Sequence, residues 1–212
     1  MKEDNLTVIN NQNKLLIIIP TQNSSVIDKC LNSLSLIDIY KDVCIVDAYS
    51  SDNRYQKKTY NIGKSNEDIF LIENNANYEL GAIFKAITHY DINEYDLFLV
   101  IHDSMQVIDN IPSNILNQDT DADIIPYSTV PGWKDGHYLS HEKYVKKWAI
   151  KSKIVLEGDD FLCIIGCSFL AKKEAFIKII NSSLKSFIPT KKSHSQAAER
   201  LTGKIFKKLK YN

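Results

Sequence analysis

Four short runs rich in apolar residues mark the first half of the chain. They occupy 14–19, 43–46, 69–72 and 95–101, and polar residues follow the last of them at once, in YDLFLVIHDSM. Continuous apolar runs of this length are typical of strands that are buried on both faces of a sheet. Pro20 is expected to end the first strand, because proline cannot donate a hydrogen bond to a central ladder.

Between these runs, apolar residues recur at helical spacing. The spacing predicts helices over 25–36 and 78–90, and a short polar helix is expected over 54–63. Residues 74–77 (NNAN) include side-chain types that tolerate left-handed backbone. Strands that alternate with helices through short connections favour parallel pairing and right-handed crossovers. The pattern therefore predicts one α/β domain with a doubly wound, mostly parallel sheet flanked by helices.

The second half has a less regular pattern. It predicts a turn or short helix over 111–116, a strand over 123–126, a loop over 129–141, and helices over 143–150, 173–180 and 196–211. A long buried strand is expected over 161–171, interrupted at Gly166. Trp148 is assigned to the core, and the four cysteines are interpreted as small buried hydrophobic residues.

Composition and charge narrow the function classes. A chain of 212 residues can bury one sizeable core. Lys plus Arg equals Asp plus Glu at 26 each, so the global positive field of a non-specific nucleic-acid binder is missing. Neither an apolar run of transmembrane length nor a signal-peptide pattern is present, so we expect a cytoplasmic protein.

Polar residues follow three of the predicted strands at their carboxyl ends. These tips are 20–23, 47–52 and 102–104. Loops at this edge of a doubly wound sheet converge on one crevice, where ligands bind. We therefore expect the three tips to share a site, although Asp47 or Asp103 alone could also be a helix cap or a turn residue.

The glycine-rich phosphate loops of several large enzyme classes are missing from the sequence. The chain contains no GxGxxG, GxxxxGK[ST] or GxSxG pattern, which argues against a Rossmann dehydrogenase, a P-loop NTPase and an α/β-hydrolase. A bound diphosphate would need another partner. A divalent cation held by Asp103 could neutralise it, since hard cations prefer carboxylate and phosphate oxygens.

Four segments, in order, carry a resemblance to a known family. LLIIIPTQNSSVIDKCLNSL, VCIVDAYSSDN, NNANYELGAIFKAI and YDLFLVIHDSM resemble the nucleotide-sugar-binding half of family 2 glycosyltransferases with a GT-A fold. Residues 14–110 would form that half. Residues 111–212, which include CIIGCSFLAKKEAFIKI, would form the acceptor-side half of a single GT-A-like (Rossmann-like) domain. The resemblance implies inverting transfer of a sugar from a nucleoside diphosphate sugar to a hydroxyl of a glycan or glycolipid, as in polysaccharide biosynthesis.

The resemblance also implies residue roles at the nucleotide sugar. Asp47 matches an aspartate that bonds the base, and Asp103 lies where the family carries Asp-x-Asp, so it would hold Mn or Mg with help from His102. The sequence departs from the family at Ala48-Tyr49, which replace Asp-Gly, and in having one carboxylate at 102–104. The implied donor positions are Pro20, Thr21, Asn23, Asp47, Ser50, Asp52, Gly81, His102, Asp103 and Ser104, of which Asp103 and His102 are the metal candidates.

Glu199 is the nearest match to the family's acidic residue that takes the proton from the acceptor hydroxyl. Arg200 stands where that family usually carries aspartate, and Asp159 and Asp160 are rival candidates for the catalytic base. Glu199 could instead be an exposed helix carboxylate that pairs with a basic residue one turn away. Trp133, among glycines and charges, is expected to hold an acceptor sugar.

The tail GKIFKKLKYN combines lysines with Ile205, Phe206 and Leu209. It could contact an anionic membrane peripherally, where a lipid-linked acceptor waits, or form an ordinary solvated helix. The same residues leave a second function open, namely a non-catalytic module that binds sugar nucleotides or glycans and descends from such an enzyme. A nucleotidyltransferase is disfavoured, because the Gly-rich basic loop of those enzymes is missing near the amino terminus.

Overall fold

The computed structural model describes residues 13–21, 24–47, 70–72, 77–116, 123–132, 138–156, 158 and 160–209. The strands are β1 (Lys14–Thr21), β2 (Tyr40–Asp47), β3 (Phe70–Ile72), β4 (Leu97–Val100), β5 (Ile124–Pro126), β6 (Thr129–Pro131), β7 (Leu162–Ile164) and β8 (Phe169–Lys172). The α-helices are α1 (Ser24–Ser33), α2 (Tyr78–Ala86), α3 (Ser113–Leu116), α4 (Tyr138–Lys151), α5 (Lys173–Ile180) and α6 (Lys192–Lys208).

Six of the strands form one central sheet in the order β3-β2-β1-β4-β8-β5, and β6 pairs with β7 in a separate two-stranded sheet. The four strands of the first half are parallel to one another, whereas β8 runs antiparallel to both β4 and β5. The domain is thus mixed α/β with a mainly parallel central sheet flanked by helices, which confirms the predicted fold class. The reversed direction of β8 is a feature that the sequence pattern did not predict.

Both faces of the central sheet are covered, which explains the continuous apolar runs. In β1, Leu16 and Ile18 face one core cluster, which also contains residues of α2, α4, α5 and α6. Leu15 and Ile17 face the opposite cluster, to which α1 contributes. Because successive side chains of a strand point to opposite faces, every residue of such a strand is buried.

The prediction that Pro20 ends β1 is wrong, because the strand continues through Thr21. The amide of Ile101 donates to the carbonyl of Ile18, so the backbone polar groups of Ile18 point toward β4. Because these groups alternate in direction along a strand, the backbone of Pro20, two residues later, points toward β4 as well. Pairing of β1 with β4 stops at Ile18 and Val100. The position where Pro20 lacks an N–H therefore lies beyond the last hydrogen bond between β1 and β4, and the proline removes no hydrogen bond from the sheet.

The second half departs from the prediction in two places. The expected strand over 161–171 is two strands in different sheets, β7 and β8, because Gly166 and Cys167 both adopt positive φ and turn the chain between them. The expected loop over 129–141 contains β6 and the start of α4. Short strands of three residues carry too little periodicity to be recognised in a sequence.

The helices agree better with the prediction. Helix α5 has the predicted bounds, α1 runs on through a 3₁₀ turn to Leu36, and α2 ends at Ala86 rather than Tyr90. Helices α4 and α6 begin five and four residues earlier than predicted, at Tyr138 and Lys192. Residues 54–63, where a short helix is expected, lie outside the described residues.

Helix α6 is largely buried, which corrects the expectation of a solvated terminal helix. Ile205 and Phe206 pack in the core, and Phe206 meets Phe169 edge to face with ring centroids 5.0 Å apart. Lys204 is also buried and donates to the carbonyl of Gly158. The apolar residues at 205 and 206 therefore face the protein rather than a membrane. Among the described helices, none has the length and apolar character needed to cross a bilayer.

All four cysteines are buried and free, and Trp148 is 8% exposed within the core, as predicted. Burial raises the pKa of the Cys30 and Cys44 thiols to about 12. The charge of Asp103 also contributes to the shift at Cys30. A neutral thiol in such surroundings is a packing residue rather than a nucleophile.

Candidate functional site

The carboxyl ends of β1 and β4 meet at one point of the sheet edge. The hydroxyl of Thr21 donates a hydrogen bond to Oδ2 of Asp103 at 2.8 Å, and both side chains are buried. Asp47, the last residue of β2, is buried as well and is the register partner of Thr21. The predicted convergence of the three tips is therefore observed for their described residues.

A tight turn holds the tip of β4 in place. The amide of Met105 donates to the carbonyl of His102 at 3.0 Å, and this closes a turn across Asp103 and Ser104. The Cys30 thiol of α1 also approaches the His102 carbonyl, at 3.6 Å. Ser104 is exposed at the outer corner of the turn, whereas Asp103 is directed into the protein.

His102 lies between two carboxylates. Its Nε2 is 3.3 Å from Oε1 of Glu79, in the geometry of an ion pair rather than of a linear hydrogen bond, and its Nδ1 is 4.0 Å from Oδ1 of Asp103. Burial alone would lower the pKa of His102, but the contact with Glu79 and the charges of Asp103 and Glu199 raise it above its usual value. Because both ring nitrogens face negative charge, the arrangement favours the imidazolium form.

Glu79 is the most deeply buried carboxylate of the cluster of polar residues at this edge, which comprises Thr21, Asp47, Glu79, His102, Asp103 and Glu199. It is 2% exposed, lies in the first turn of α2, and accepts a hydrogen bond from the Ser195 hydroxyl of α6 at 2.6 Å. Burial alone would raise its pKa, but the contacts with His102 and Ser195 outweigh that effect and lower the pKa to about 2. A charge at the amino-terminal turn of a helix is also stabilised by the helix dipole.

Glu199 reaches the cluster from α6 through the turn between β7 and β8. Its Oε1 accepts a hydrogen bond from the amide of Gly166 at 2.9 Å, and it is 9% exposed. Burial raises the pKa of Glu199, the Gly166 amide opposes the shift, and the negative charge of Glu79 adds to it. The alternative of an exposed helix carboxylate is therefore wrong, and the raised pKa is in the direction that a general base requires.

Gly166 joins the Glu199 and His102 parts of the cluster. It has φ +62°, and a Cβ at this position would lie 2.5 Å from Nε2 of His102, so the imidazole ring lies directly against the glycine backbone. Asn77, Tyr78 and Cys167 also have positive φ, at 59°, 67° and 51°. Such conformations cost about 1–3 kcal/mol each in non-glycine residues and tend to cluster at functional sites.

The cluster has more negative groups than positive ones, and this bears on the predicted cation. Among the parts of the chain that the structure describes, no group of three His, Cys, Asp or Glu residues is arranged to hold a metal ion. The nitrogens of His102 face carboxylates, so His102 does not present a free lone pair. Asp103 offers the hard carboxylate oxygens that Mg and Mn prefer, and it is the residue of this tip that suits such an ion.

The structure does not bring every candidate to this cluster. Pro20 lies in β1 beside Thr21, and Gly81 lies within α2, two residues beyond Glu79. The side chain of Asp160 is fully exposed and pairs with Lys207, whose position on α6 is about 12 Å along the helix from Glu199. The predicted candidates Asn23, Ser50, Asp52, Trp133 and Asp159 lie outside the described residues.

The sequence reasoning missed Glu79 and Ser195. Both were available as spacing signals, because Glu79 is four residues before Ile83 and belongs to the same stripe of α2, and Ser195 is four residues before Glu199 on α6. A carboxylate within an apolar helical stripe indicates a buried charge with a partner. The partner could not be identified, since His102 comes from a distant strand.

Comparisons with known proteins support the fold. No protein-family model matches the chain, and no curated protein matches it. Among solved structures, S. aureus TarS is similar with a TM-score of 0.50 and 10% identity, over 92% of this chain and 33% of that chain. TarS 1–349 gives a TM-score of 0.45 with 13% identity, over 90% and 55% of the two chains. TarS 1–349 in complex with UDP gives 0.47 with 14% identity, over 90% and 54%.

The chain thus spans between a third and about half of the length of these TarS chains. At 10% identity, the likeness to TarS with a TM-score of 0.50 shows a shared fold and assigns no residue a role. The fold is the mixed α/β domain described above.

Proposed function

We propose that this protein is a glycosyltransferase of the GT-A type, which moves a sugar from a nucleoside diphosphate sugar to a hydroxyl of a glycan or lipid-linked acceptor with inversion. The observation that carries the proposal is the meeting of Thr21, His102, Asp103 and Glu199 at one edge of the sheet. Thr21, His102 and Asp103 belong to segments that resemble family 2 glycosyltransferases in their order along the chain, and Glu199 is the nearest match to the acidic residue of that family. A shared edge is the place where an open α/β sheet binds its ligand.

Glu199 is the proposed base. Its carboxylate takes the proton from the acceptor hydroxyl, whose oxygen forms a bond to the anomeric carbon as the bond from that carbon to the phosphate oxygen breaks. The nucleoside diphosphate leaves with the electron pair of the broken bond. The buried position of Glu199 and its raised pKa support this role over that of Asp160, whose carboxylate is exposed and paired with Lys207.

Asp47, Thr21 and Asp103 form the proposed donor edge. Asp47 would bond the base of the nucleotide, and Asp103 would hold a divalent cation that neutralises the diphosphate when bound. The cluster contains four carboxyl groups against one imidazolium, so a diphosphate would meet net repulsion without a cation. His102, which is partly buried, serves here as a positive charge that holds Asp103 and Glu79 in place, not as a metal ligand.

Calorimetric titration with UDP-, GDP- and ADP-sugars, each with and without Mn, tests donor binding. We expect one nucleotide to bind, and Mn to strengthen the binding. Asp103→Asn should abolish the Mn effect. Asp109→Asn is the matched control, because Asp109 is an exposed carboxylate in the connection that follows the same turn. Failure of all three nucleotide classes to bind would refute the donor site.

Donor hydrolysis and transfer assays test the base. Glu199→Gln should lower turnover about 10²–10⁴-fold, the range that general-base catalysis supplies, with donor affinity little changed. Asp160→Asn should leave turnover at the wild-type level. The reverse result, a large loss from Asp160→Asn and none from Glu199→Gln, would transfer the role to Asp160.

A non-catalytic module that binds sugar nucleotides or glycans is the second candidate. The specific observation in its favour is that the polar residues of the cluster contact one another: Thr21 and His102 contact Asp103, and the Gly166 amide donates to Glu199. Such mutual contacts also stabilise a fold without chemistry. Donor binding without turnover, unchanged by Glu199→Gln, would favour the module.

A further inference from the structure

One side of α4 is an exposed stripe of lysines, in a helix whose other side is buried. Val145, Trp148 and Ala149 pack in the core. The exposed residues, which we call the basic face, are Lys143, Lys146, Lys147, Ile150 and Lys151. Their spacing of three and four residues places them on one side of the helix.

The basic face concentrates positive charge in a chain whose formal net charge is zero. Glu142 is the acidic residue of α4, and it forms an ion pair with Lys146 one turn away. Lys191 adds charge beside the face, since its Nζ lies 5.1 Å from the ring centroid of Tyr144 on the same helix. Lys153 is exposed just beyond the end of α4.

Two aliphatic side chains are exposed on this helix and in the segment that follows it. Ile150 is 79% exposed within the basic face, and Val155, in the segment that follows α4, is also 79% exposed. An exposed aliphatic residue alone is common on protein surfaces. Exposed aliphatic residues beside a stripe of lysines form a surface that can meet both the headgroups and the acyl boundary of an anionic bilayer.

We propose that the basic face docks on an anionic lipid bilayer, with its lysines at the headgroups and Ile150 and Val155 at the acyl boundary. This inference rests on charge and exposure and does not depend on the proposed function. Nucleic acid is the less suitable occupant, because its recognition favours arginine forks and stacking aromatic rings, and the basic face contains neither. A bilayer also accounts for the exposed aliphatic residues, which a polyanion would leave in water.

The buried side of α4 links this surface to the candidate site. His141 of α4 contacts Gln196 of α6, with Nε2 and Oε1 3.1 Å apart, and α6 also carries Ser195 and Glu199. Docking through the basic face would therefore bring the helix of the proposed base close to a membrane. The surface lies on α4 and is distinct from the carboxyl-terminal residues of the chain.

Vesicle co-sedimentation of the full chain tests the proposal. The vesicles are pure phosphatidylcholine, or phosphatidylcholine with 30 mol% phosphatidylglycerol, at about 0.1 M and about 0.5 M salt, since salt screens such contacts. The variant is Lys143→Gln/Lys147→Gln/Lys151→Gln. The matched control removes the same charge from three exposed lysines elsewhere, as Lys29→Gln/Lys178→Gln/Lys185→Gln.

We expect binding to the anionic vesicles alone, weakened at the higher salt. The basic-face variant should lose about 100-fold in partitioning, because each lysine near an anionic surface contributes about fivefold. Ile150→Ser should lose about fivefold with no change in charge. The control variant should bind within about twofold of wild type.

Three outcomes would overturn the proposal. The first is failure to bind anionic vesicles at either salt concentration. The second is an equal loss in the control variant, which would mean that net charge and not this face is responsible. The third is tight binding of a single-stranded oligonucleotide through the same lysines without vesicle binding, which would assign the face to nucleic acid.

Discussion

The ion pair between Glu79 and His102 is the interaction by which the candidate cluster can be tested most directly. We predict that Glu79→Gln destabilises the fold by about 2–3 kcal/mol. Glutamine keeps the shape of the side chain and can still accept the hydrogen bond from the Ser195 hydroxyl, but it removes the negative charge that faces Nε2 of His102. The partly buried imidazolium would then have a weaker set of partners.

The magnitude follows from the pKa of Glu79. Lowering that pKa from 4.5 to about 2 corresponds to about 3 kcal/mol of stabilisation of the charged carboxylate in the folded chain relative to the unfolded chain. Glutamine loses this contribution except for the hydrogen bond that the Ser195 hydroxyl still donates to the neutral amide oxygen. That hydrogen bond contributes about 1 kcal/mol. The expected loss lies just below the range of about 3–5 kcal/mol measured for broken buried ion pairs, because the imidazole of this pair is partly exposed.

Urea unfolding at pH 6, followed by far-UV circular dichroism, measures the effect. At this pH both members of the pair are charged, since the pKa of His102 is raised above 6.5 and that of Glu79 is well below 6. Glu174→Gln is the matched control, because Glu174 also lies in the first turn of a helix, α5, but is exposed. It should change the free energy of unfolding by less than about 0.5 kcal/mol.

The pH dependence supplies a second readout of the same pair. A carboxylate with a depressed pKa stabilises the fold above its unfolded value of 4.5, and that stability is lost as the pH falls through about 2. The difference between wild type and Glu79→Gln should thus shrink from pH 4.5 towards pH 2. It should also shrink as the pH rises through the raised pKa of His102, because the imidazolium loses its charge there.

A double-mutant cycle decides whether the pair itself is responsible. Glu79→Gln, His102→Gln and the double variant should give a coupling energy of at least about 1 kcal/mol at pH 6. A coupling energy near zero, or a Glu79→Gln variant as stable as Glu174→Gln, would refute the reasoning. The cluster would then have to be described without a stabilising charge pair.

Three further predictions concern the fold. Gly203→Ala should lower the melting temperature in a calorimetric scan, because a Cβ at this position would overlap the carbonyl oxygen of Leu162. The cost of this overpacking, about 1–3 kcal/mol, outweighs the gain of about 1 kcal/mol in helix propensity. An increase in melting temperature would show that α6 can shift to make room. Tyr95→Phe should lower the free energy of unfolding in urea by about 2 kcal/mol, because the Tyr95 hydroxyl donates to Oδ2 of Asp42 at 2.7 Å in the buried interior. A loss below about 0.5 kcal/mol, which is typical of a surface substitution, would contradict this. Cys44, whose pKa burial raises to about 12, should resist iodoacetamide at pH 8 in the folded protein and react after denaturation, as mass spectrometry would show; rapid labelling of the folded chain would contradict its burial.

The site could be predicted from the sequence to the extent that it depends on strand ends. Thr21 and Asp103 were expected at one edge because each follows a buried parallel strand, and their hydrogen bond confirms that expectation. The environment of Glu199 could not be predicted, since a glutamate beside Arg200 on a helix is as compatible with exposure as with burial. Its burial depends on contacts with the turn at Gly166, 33 residues away in the chain.

The sequence by itself determined the layout of the first half of this protein. Its apolar runs, their lengths and the polar residues that follow them specify parallel strands covered on both faces, with polar tips at a common edge. These features are local, because each depends on residues that are neighbours in the chain.

Only the tertiary structure decided the direction of β8, the burial of α6 and the charge pairing of His102. Each depends on which distant element covers a given face: β8 pairs with β4 across about 70 residues, and Glu79 meets His102 and Ser195 from two other elements. A buried charge is stable only when its partner is present, and that partner is selected by packing of the whole domain rather than by local pattern.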